Sequence, residues 1–562
     1  MHRQALTTAV LMLTASCLKV PLALSDGGSP DAGADGLALQ GSAVGCPDSG
    51  VCIFVDPTRP RRVVPGTLFG DQMPNLNSGT WLWDTPSTAS CAGLDGGTAR
   101  PELMALIDNL GLKLLRYPGG TPSDFFHWQE AIGPTDLRTP QIDPFQSSPD
   151  QYTYYCPTYG PDEFAQVARE LETDLLITPN VGTTGSEGAA EAAAWLRHYQ
   201  DAGVRARFWE IGNENYLPGF LPDGGPYALA GAYKTPTEYA ALFNAYAASL
   251  RAVDPTVQIG AIINDQASWN SVVVAGAQRP DFFAIHIGYA PSWVSECYVT
   301  DGGVGAGVSE DEAWRSTLSA SLLVRYRLTQ IEEQIAQYAP SGSDAGLALT
   351  EHGSDWTPCS SDLATAMEQL QPNYMLAGAL YSATLYNLLI ADPRVVMANH
   401  INVTNPFFQA AVRTSLADGY SSPVMTPYAR VFQLYAQSAG ALSLPSQVNG
   451  SPTYDALVPF GGMVPVAGVP SLDAVAVEAP GRSAVWIYVV NRHLSADVTA
   501  TVALNRLQGK SITAEILDGA TYDAVNSPAA PNAVAVTTSS VPLANPFTFS
   551  FPAHSLTRLV VR

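Results

Sequence analysis

Short apolar runs punctuate the first four-fifths of the chain, and several are continuous rather than alternating. Residues 66–70, 112–116, 174–179, 208–211, 258–263, 282–287, 347–350 and 395–399 are of this kind. A continuous run bounded by turn residues fits a parallel strand covered on both faces. Between most of these runs lie stretches with helical spacing, at 162–172, 189–200, 236–253 and 310–339. Strand and helix therefore alternate over about 370 residues, the arithmetic of a (β/α)8 TIM barrel with insertions. Thr426-Pro427 starts the helix after the last strand, a cap followed by proline at the first helical position.

Beyond about Gln437 the period changes. Strand-like runs at 472–478, 484–491, 498–504, 512–517, 533–537, 547–551 and 556–561 follow one another at short spacing, separated by turn residues. They predict a C-terminal antiparallel β-sandwich over 438–562. The barrel is expected over 46–437, and a run at 52–55 is a candidate extra strand, so that 51–62 belong with the sandwich. No internal repeat is present.

Ahead of the barrel, residues 1–25 read as an export signal: Met1-His2-Arg3 is a short positive start, and 5–17 is mostly apolar but too short to span a bilayer. Two processing routes compete. Leu13-Thr14-Ala15-Ser16-Cys17 resembles a lipoprotein box that would lipidate Cys17, with Thr14 where a branched apolar residue is usual. Ala23-Leu24-Ser25 offers ordinary signal cleavage instead. Residues 26–45, rich in Gly, Asp and Ser, are expected to be a flexible tether. The mature chain is thus expected outside the cytoplasm of a bacterium, secreted or on its outer surface. No later apolar run is long enough to cross a membrane as a helix.

Composition narrows the partners. The 562 residues carry 51 acidic and 28 basic side chains, a formal charge of −23. With so few cations, four of them lysines, a phosphate-neutralising face is hard to assemble, which argues against nucleic-acid binding. Apart from Cys17, six cysteines remain: Cys46, Cys52, Cys91, Cys156, Cys297 and Cys359. In an exported chain an even number reads as up to three disulfides, with fifteen pairings open. Cys46 with Cys52 would close a short loop, and Cys297 with Cys359 would join two others. Zinc is the competing use, but no paired CxxC with a matching His is present.

The chemistry of such a barrel belongs at the C-terminal ends of its strands. The fourth strand ends in Trp209-Glu210-Ile211-Gly212-Asn213-Glu214-Asn215, and the seventh in Leu349-Thr350-Glu351-His352-Gly353. Two carboxylates at opposed strand mouths suit glycoside hydrolysis, one protonating the leaving oxygen and the other attacking the anomeric carbon. Taken singly, either Glu could be no more than a helix-start charge.

WEIGNEN with LTEHG resembles the acid/base and nucleophile strands of clan A glycoside hydrolases. LLRYPGG (114–120) and HWQEAIGP (127–134) resemble glycoside hydrolase family 51, the α-L-arabinofuranosidases and some endoglucanases. Further pieces at 159–164, 180–199, 238–255, 281–289 and 395–403, and the tail from 489, follow in the same order from about Arg61 to the end. The resemblance implies Glu214 as acid/base, Glu351 as the nucleophile that forms a glycosyl-enzyme, and Asn213 on the sugar hydroxyl beside the anomeric carbon. It implies that Arg116 keeps Glu351 ionised and that Tyr289, with His286, stands against the nucleophile. Glu214 is expected to need a raised pKa while it acts as acid. Trp128, Trp293 and Trp356 are further candidate sugar contacts, and Trp81 and Trp83 weaker ones. Glu210 is expected as a structural partner inside the barrel. His352, His400 and Asp355 lie near the mouth without a role. No cofactor or metal is expected.

The departures bear on specificity. The family's FGxxxE phrase reads Phe69-Gly70-Asp71-Gln72-Met73-Pro74-Asn75 here, without the sugar-binding Glu, and Thr121 stands where Asn is frequent after PGG. Arabinose-containing poly- or oligosaccharides are the first expectation, and a clan relative acting on β-glucan, xylan or glucuronide is the alternative. A carbohydrate-binding lipoprotein without turnover is the rival of another class.

Overall fold

A computed structural model describes residues 45–147, 151–183, 187–217, 232–291, 298–299, 303–304, 307–356, 360, 363–405, 408–414, 422–505 and 509–562. The signal, Cys17, nearly all of the tether, Trp293, Cys297 and Cys359 lie outside the described residues.

Eight parallel strands close into a barrel: β1 (Gly70–Gln72), β2 (Leu114–Tyr117), β3 (Asp174–Ile177), β4 (Phe208–Ile211), β5 (Gln258–Ile262), β6 (Phe282–Ile285), β7 (Gly346–Gly353) and β8 (Val395–His400). The ring closes where Asn399 and His400 of β8 pair with Gly70 and Asp71 of β1. Continuous burial matches the continuous apolar runs; all eight residues of β7 are buried. The first strand is the exception to the expected bounds. Gly66–Leu68 forms a short 3-10 turn after Pro65, and the strand begins only at Gly70. A Cβ at Gly70 would lie 2.7 Å from the Ala398 carbonyl, so the seam between β8 and β1 requires glycine there.

Helices Pro161–Glu170, Gly188–Asp201, Pro236–Val253 and Glu310–Tyr338 stand where their spacing predicts. Thr235 with Glu238, and Ser309 with Glu312, form reciprocal capping boxes. Thr426 caps Pro427–Ala436 by accepting from the Ala429 N–H.

The C-terminal unit is a four-stranded sheet facing a six-stranded one. The smaller sheet runs Ser446–Asn449, Cys52–Val55, Val498–Leu504, Phe547–Phe551. The early strand therefore joins the sandwich, but its pairing with Val498–Leu504 is parallel, so the unit is not antiparallel throughout. In the larger sheet alternate residues serve two cores. Ala476, Ile487 and Val489 face the smaller sheet, while Val475, Val477, Tyr488 and Val490 pack into the barrel's core. Tyr488 stacks on Tyr435 of the last barrel helix, 4.4 Å between ring centres. Among the described residues two disulfides are formed, Cys46–Cys52 and Cys91–Cys156.

Candidate active site

The inside of the barrel mouth is organised by one buried cation. Arg116, on β2, is fully buried and its guanidinium reaches four acceptors. Nε donates to Glu210 (2.6 Å), Nη1 to Glu351 (2.6 Å) and Gln72 (2.7 Å), and Nη2 to Asn213 (2.9 Å). Burial alone would discharge the guanidinium, but the two carboxylates raise its pKa instead. Such a planar fork can serve several acceptors at once.

Glu210 sits below the site with no exposure. Thr350 donates to it at 2.7 Å and Thr178 at 3.3 Å. Burial works against its charge, yet Arg116 and His286 bring its pKa down to about 2. It is an ionised post that carries Arg116, as its place inside the strand predicts.

Glu351 occupies the end of β7. One carboxylate oxygen accepts from Arg116, and the other accepts a short hydrogen bond from the Tyr289 hydroxyl. Tyr289 reaches it because Gly288–Tyr289 resumes pairing beside β7, with Gly288 opposite His352 and Tyr289 opposite Gly353. The phenol is held neutral, its pKa raised by burial and by the charge of Glu351.

Glu214 lies on the turn after β4, reached through Gly212 (φ 84°) and itself left-handed (φ 47°). Its Oε1 is 3.0 Å from Nδ1 of His286, whose Nε2 contacts Thr350 at 3.1 Å. His286 is buried, which disfavours its charge, but Glu351, Glu210 and Glu214 together lift its pKa to about 10. It is an imidazolium at neutral pH, standing between the two candidate catalytic carboxylates. Single carboxylate oxygens of Glu214 and Glu351 and a nitrogen of His286 all lie within 4.8 Å of one another. That spacing falls with retaining glycosidases, whose carboxyl groups are about 5–5.5 Å apart, and not with inverting ones at about 6.5–9.5 Å. It is also close enough for a cation, which would have to displace the imidazole proton to bind there.

Glu214, Glu351, Asn213, Arg116, Tyr289 and His286 are thus brought together as the sequence predicts. Two tryptophans are not. Trp128 is buried, stacks on Trp195 at 5.9 Å and donates its Nε1–H to the Glu191 carbonyl. Trp356 is 1% exposed and packs between Trp314 and Phe460. Both are core residues, because a loop tryptophan buries its large apolar face wherever a neighbouring helix offers a partner. Trp83 is buried too, its indole N–H bound to the Gly96 carbonyl.

The altered phrase after the first strand resolves into three directions. Gln72 points at Arg116, a contact that sequence reasoning missed although its place at a strand end is the right signal. Asp71 turns away to His400, 3.2 Å distant and fully buried with it. Burial raises the Asp71 pKa and lowers that of His400 to about 3, so each favours its neutral form. Asn75 donates to the Tyr155 hydroxyl at 2.5 Å. Asp71 does not stand in for the absent Glu.

Residues 351–555 match the α-L-arabinofuranosidase C-terminal domain family. An intracellular exo-α-(1→5)-L-arabinofuranosidase of Bifidobacterium longum is 24% identical over 279 residues, 46% of this chain and 45% of that protein. The chain thus spans under half of that relative. One of the same description from Acetivibrio thermocellus is 20% identical over 71% of this chain and 77% of its own length. Among solved structures, the α-L-arabinofuranosidase of Thermotoga maritima in its arabinose complex superposes with a TM-score of 0.73 at 23% identity, over 91% of this chain and all of that one. The family 51 enzyme of Thermotoga petrophila gives 0.74 at 23% identity and the same coverage. The chain is thus similar to α-L-arabinofuranosidases in the domain at 351–555, and it shares its overall fold with family 51 structures.

Proposed function

We propose that the protein is a retaining glycoside hydrolase that cleaves arabinofuranosyl linkages in arabinose-containing poly- or oligosaccharides. The observation that carries this reading is the pair Glu214 and Glu351, with carboxylate oxygens within 4.8 Å and different partners, His286 on the first and Arg116 with Tyr289 on the second. Glu351 is fixed from both sides by Arg116 and Tyr289, so one oxygen lone pair is aimed while its charge is held. It attacks the anomeric carbon as Glu214 gives a proton to the departing oxygen. Glu214 and His286, 3.0 Å apart, hold that proton as a coupled pair. Ester formation at Glu351 removes the largest charge supporting the proton on His286, so the pair stays unprotonated after donating and Glu214 is left ionised to act as base toward water. Asn213, already oriented by Arg116, is placed for the neighbouring sugar hydroxyl.

Pro74 stands where the family's FGxxxE phrase carries its sugar-binding Glu, and Thr121 where Asn is frequent after PGG, which favours a second reading: the same mechanism on β-glucan, xylan or a glucuronide. Turnover of aryl α-L-arabinofuranoside, β-D-xyloside, β-D-glucoside and β-D-glucuronide by the protein and by Glu351→Ala separates the two. Arabinofuranoside hydrolysis that vanishes in the variant is the expected result; hydrolysis of another member replaces the substrate. Silence on these and on polysaccharides would favour the binding protein over any enzyme.

The relatives are named as intracellular, whereas the apolar N-terminal segment and two disulfides support export of this chain. Mass spectrometry of the mature N-terminus checks lipidation at Cys17; an unmodified chain starting at Asp26 would contradict it.

A further inference from the structure

Glu214 is held in a left-handed backbone conformation that a non-glycine residue adopts only when its surroundings impose it, so something must hold it there. The residue after it is tied to one carboxyl group outside the Arg116 network. Asp124 lies on the short turn Thr121–Phe125 that follows β2 and is fully buried. Its Oδ2 accepts from the Asn215 side-chain amide at 2.9 Å. The Asn215 amide further donates to the Ala232 carbonyl (2.8 Å), and the Asn215 carbonyl accepts from the Lys234 N–H (2.8 Å).

The fit around this carboxyl is close. A Cβ on Gly182 would fall 2.3 Å from the Asp124 carbonyl, and one on Gly212 would fall 2.1 Å from the Asn215 side-chain oxygen. Gly182 lets the loop after β3 close on the Asp124 turn, and Gly212 leaves room for the Asn215 side chain within its own turn. Thr183 adds a contact to the Asp124 carbonyl at 3.4 Å.

We propose that Asp124 is the positioning residue of the acid/base turn: by holding the side chain of Asn215, the residue next to Glu214, it keeps Glu214 left-handed and directed at His286. The inference rests on Glu214 being the acid/base. Asp124 touches no reacting atom; it acts through the turn that carries Glu214.

The test compares the protein with Asp124→Ala and Asp124→Asn on two aryl glycosides of the sugar it hydrolyses. One has a dinitrophenol leaving group, which departs without a proton, and the other has phenol, which needs one. For Asp124→Ala, kcat/KM is expected to fall about 10–100-fold on the phenyl glycoside and by less than about threefold on the dinitrophenyl one, with Asn restoring most of the loss. Equal losses on both, or none on either, would overturn the proposal. Glu351→Ala, measured alongside, reports separately on the hydrolase reading, since it must abolish both activities. A crystal structure of Asp124→Ala gives a readout that needs no turnover. Glu214 is expected to leave the left-handed region and to lose its contact with His286, and its persistence there would overturn the proposal.

Discussion

Arg116 has no substitute among natural side chains: it meets two carboxylates and two amide oxygens from three strand ends. Removing it while Glu210 and Glu351 remain leaves buried negative charge without a partner. Arg116→Leu is expected to lower unfolding free energy by about 3–5 kcal/mol in urea denaturation, and to remove turnover even where the fold survives. Glu214→Ala is expected to cost about 10²–10⁴-fold in kcat/KM on a phenyl glycoside but little on a dinitrophenyl one. At this scale the sequence speaks clearly where chemistry restricts the residue type. Glu214, Glu351 and Arg116 are legible because strand-end position and motif agree. Trp128 and Trp356 are not, because an indole on a loop has the same composition signal whether it stacks on a sugar or on Trp195 or Phe460. Asp124 and Asn215 carry no signal of their own; only folding brings positions 91 apart in sequence together.

The strands of the barrel are legible because burial on both faces leaves them continuously apolar. The helix Leu376–Ala391 is not, for a related reason. Nearly every residue of it is buried, between the barrel and the six-stranded sheet, so no polar face remains to mark a helical period. The paired strands Thr453–Ala456 and Val466–Pro470 also escape, being short and half exposed. Cysteine counting left the pairing open, and the two bridges now differ in expected worth. Cys91–Cys156 spans 65 residues and Cys46–Cys52 only 6. By loop entropy, removing the first by serine substitution should cost about 4 kcal/mol and the second about 2 kcal/mol. Thermal melts of the two double variants check the order, and a larger loss from the short bridge would contradict it.

Across the whole molecule, barrel and sandwich share one apolar core through the alternate residues of the larger sheet, so a single unfolding transition is expected. Its dependence on pH follows from the buried groups. Glu210, with its folded pKa near about 2 against about 4.3 when unfolded, contributes stability that is present above about pH 4.3 and lost as pH falls through 2. His286 has the opposite sign: raised to about 10, it contributes stability that is complete below about pH 6.5 and lost as pH rises through 10. Asp124, at about 8, and Asp355, at about 7, resist ionisation in the fold, so the stability they contribute is complete only below about pH 3.9 and is lost as pH rises through their folded values. The formal charge of −23 adds self-repulsion at neutral pH. The melting temperature is therefore expected to peak near about pH 5 and to fall steadily toward pH 10, with a shallower alkaline fall in His286→Gln. Scanning calorimetry across that range checks both.

Capture of the glycosyl-enzyme tests the central claim most directly. Glu214→Ala, incubated with a dinitrophenyl α-L-arabinofuranoside and quenched in acid, should release its aglycone yet fail to hydrolyse the ester promptly. Intact-protein mass spectrometry should then show a gain of one anhydropentose, and peptide mapping should place it on Glu351. An unmodified protein that releases sugar of inverted configuration, or a label on any other residue, would contradict the account.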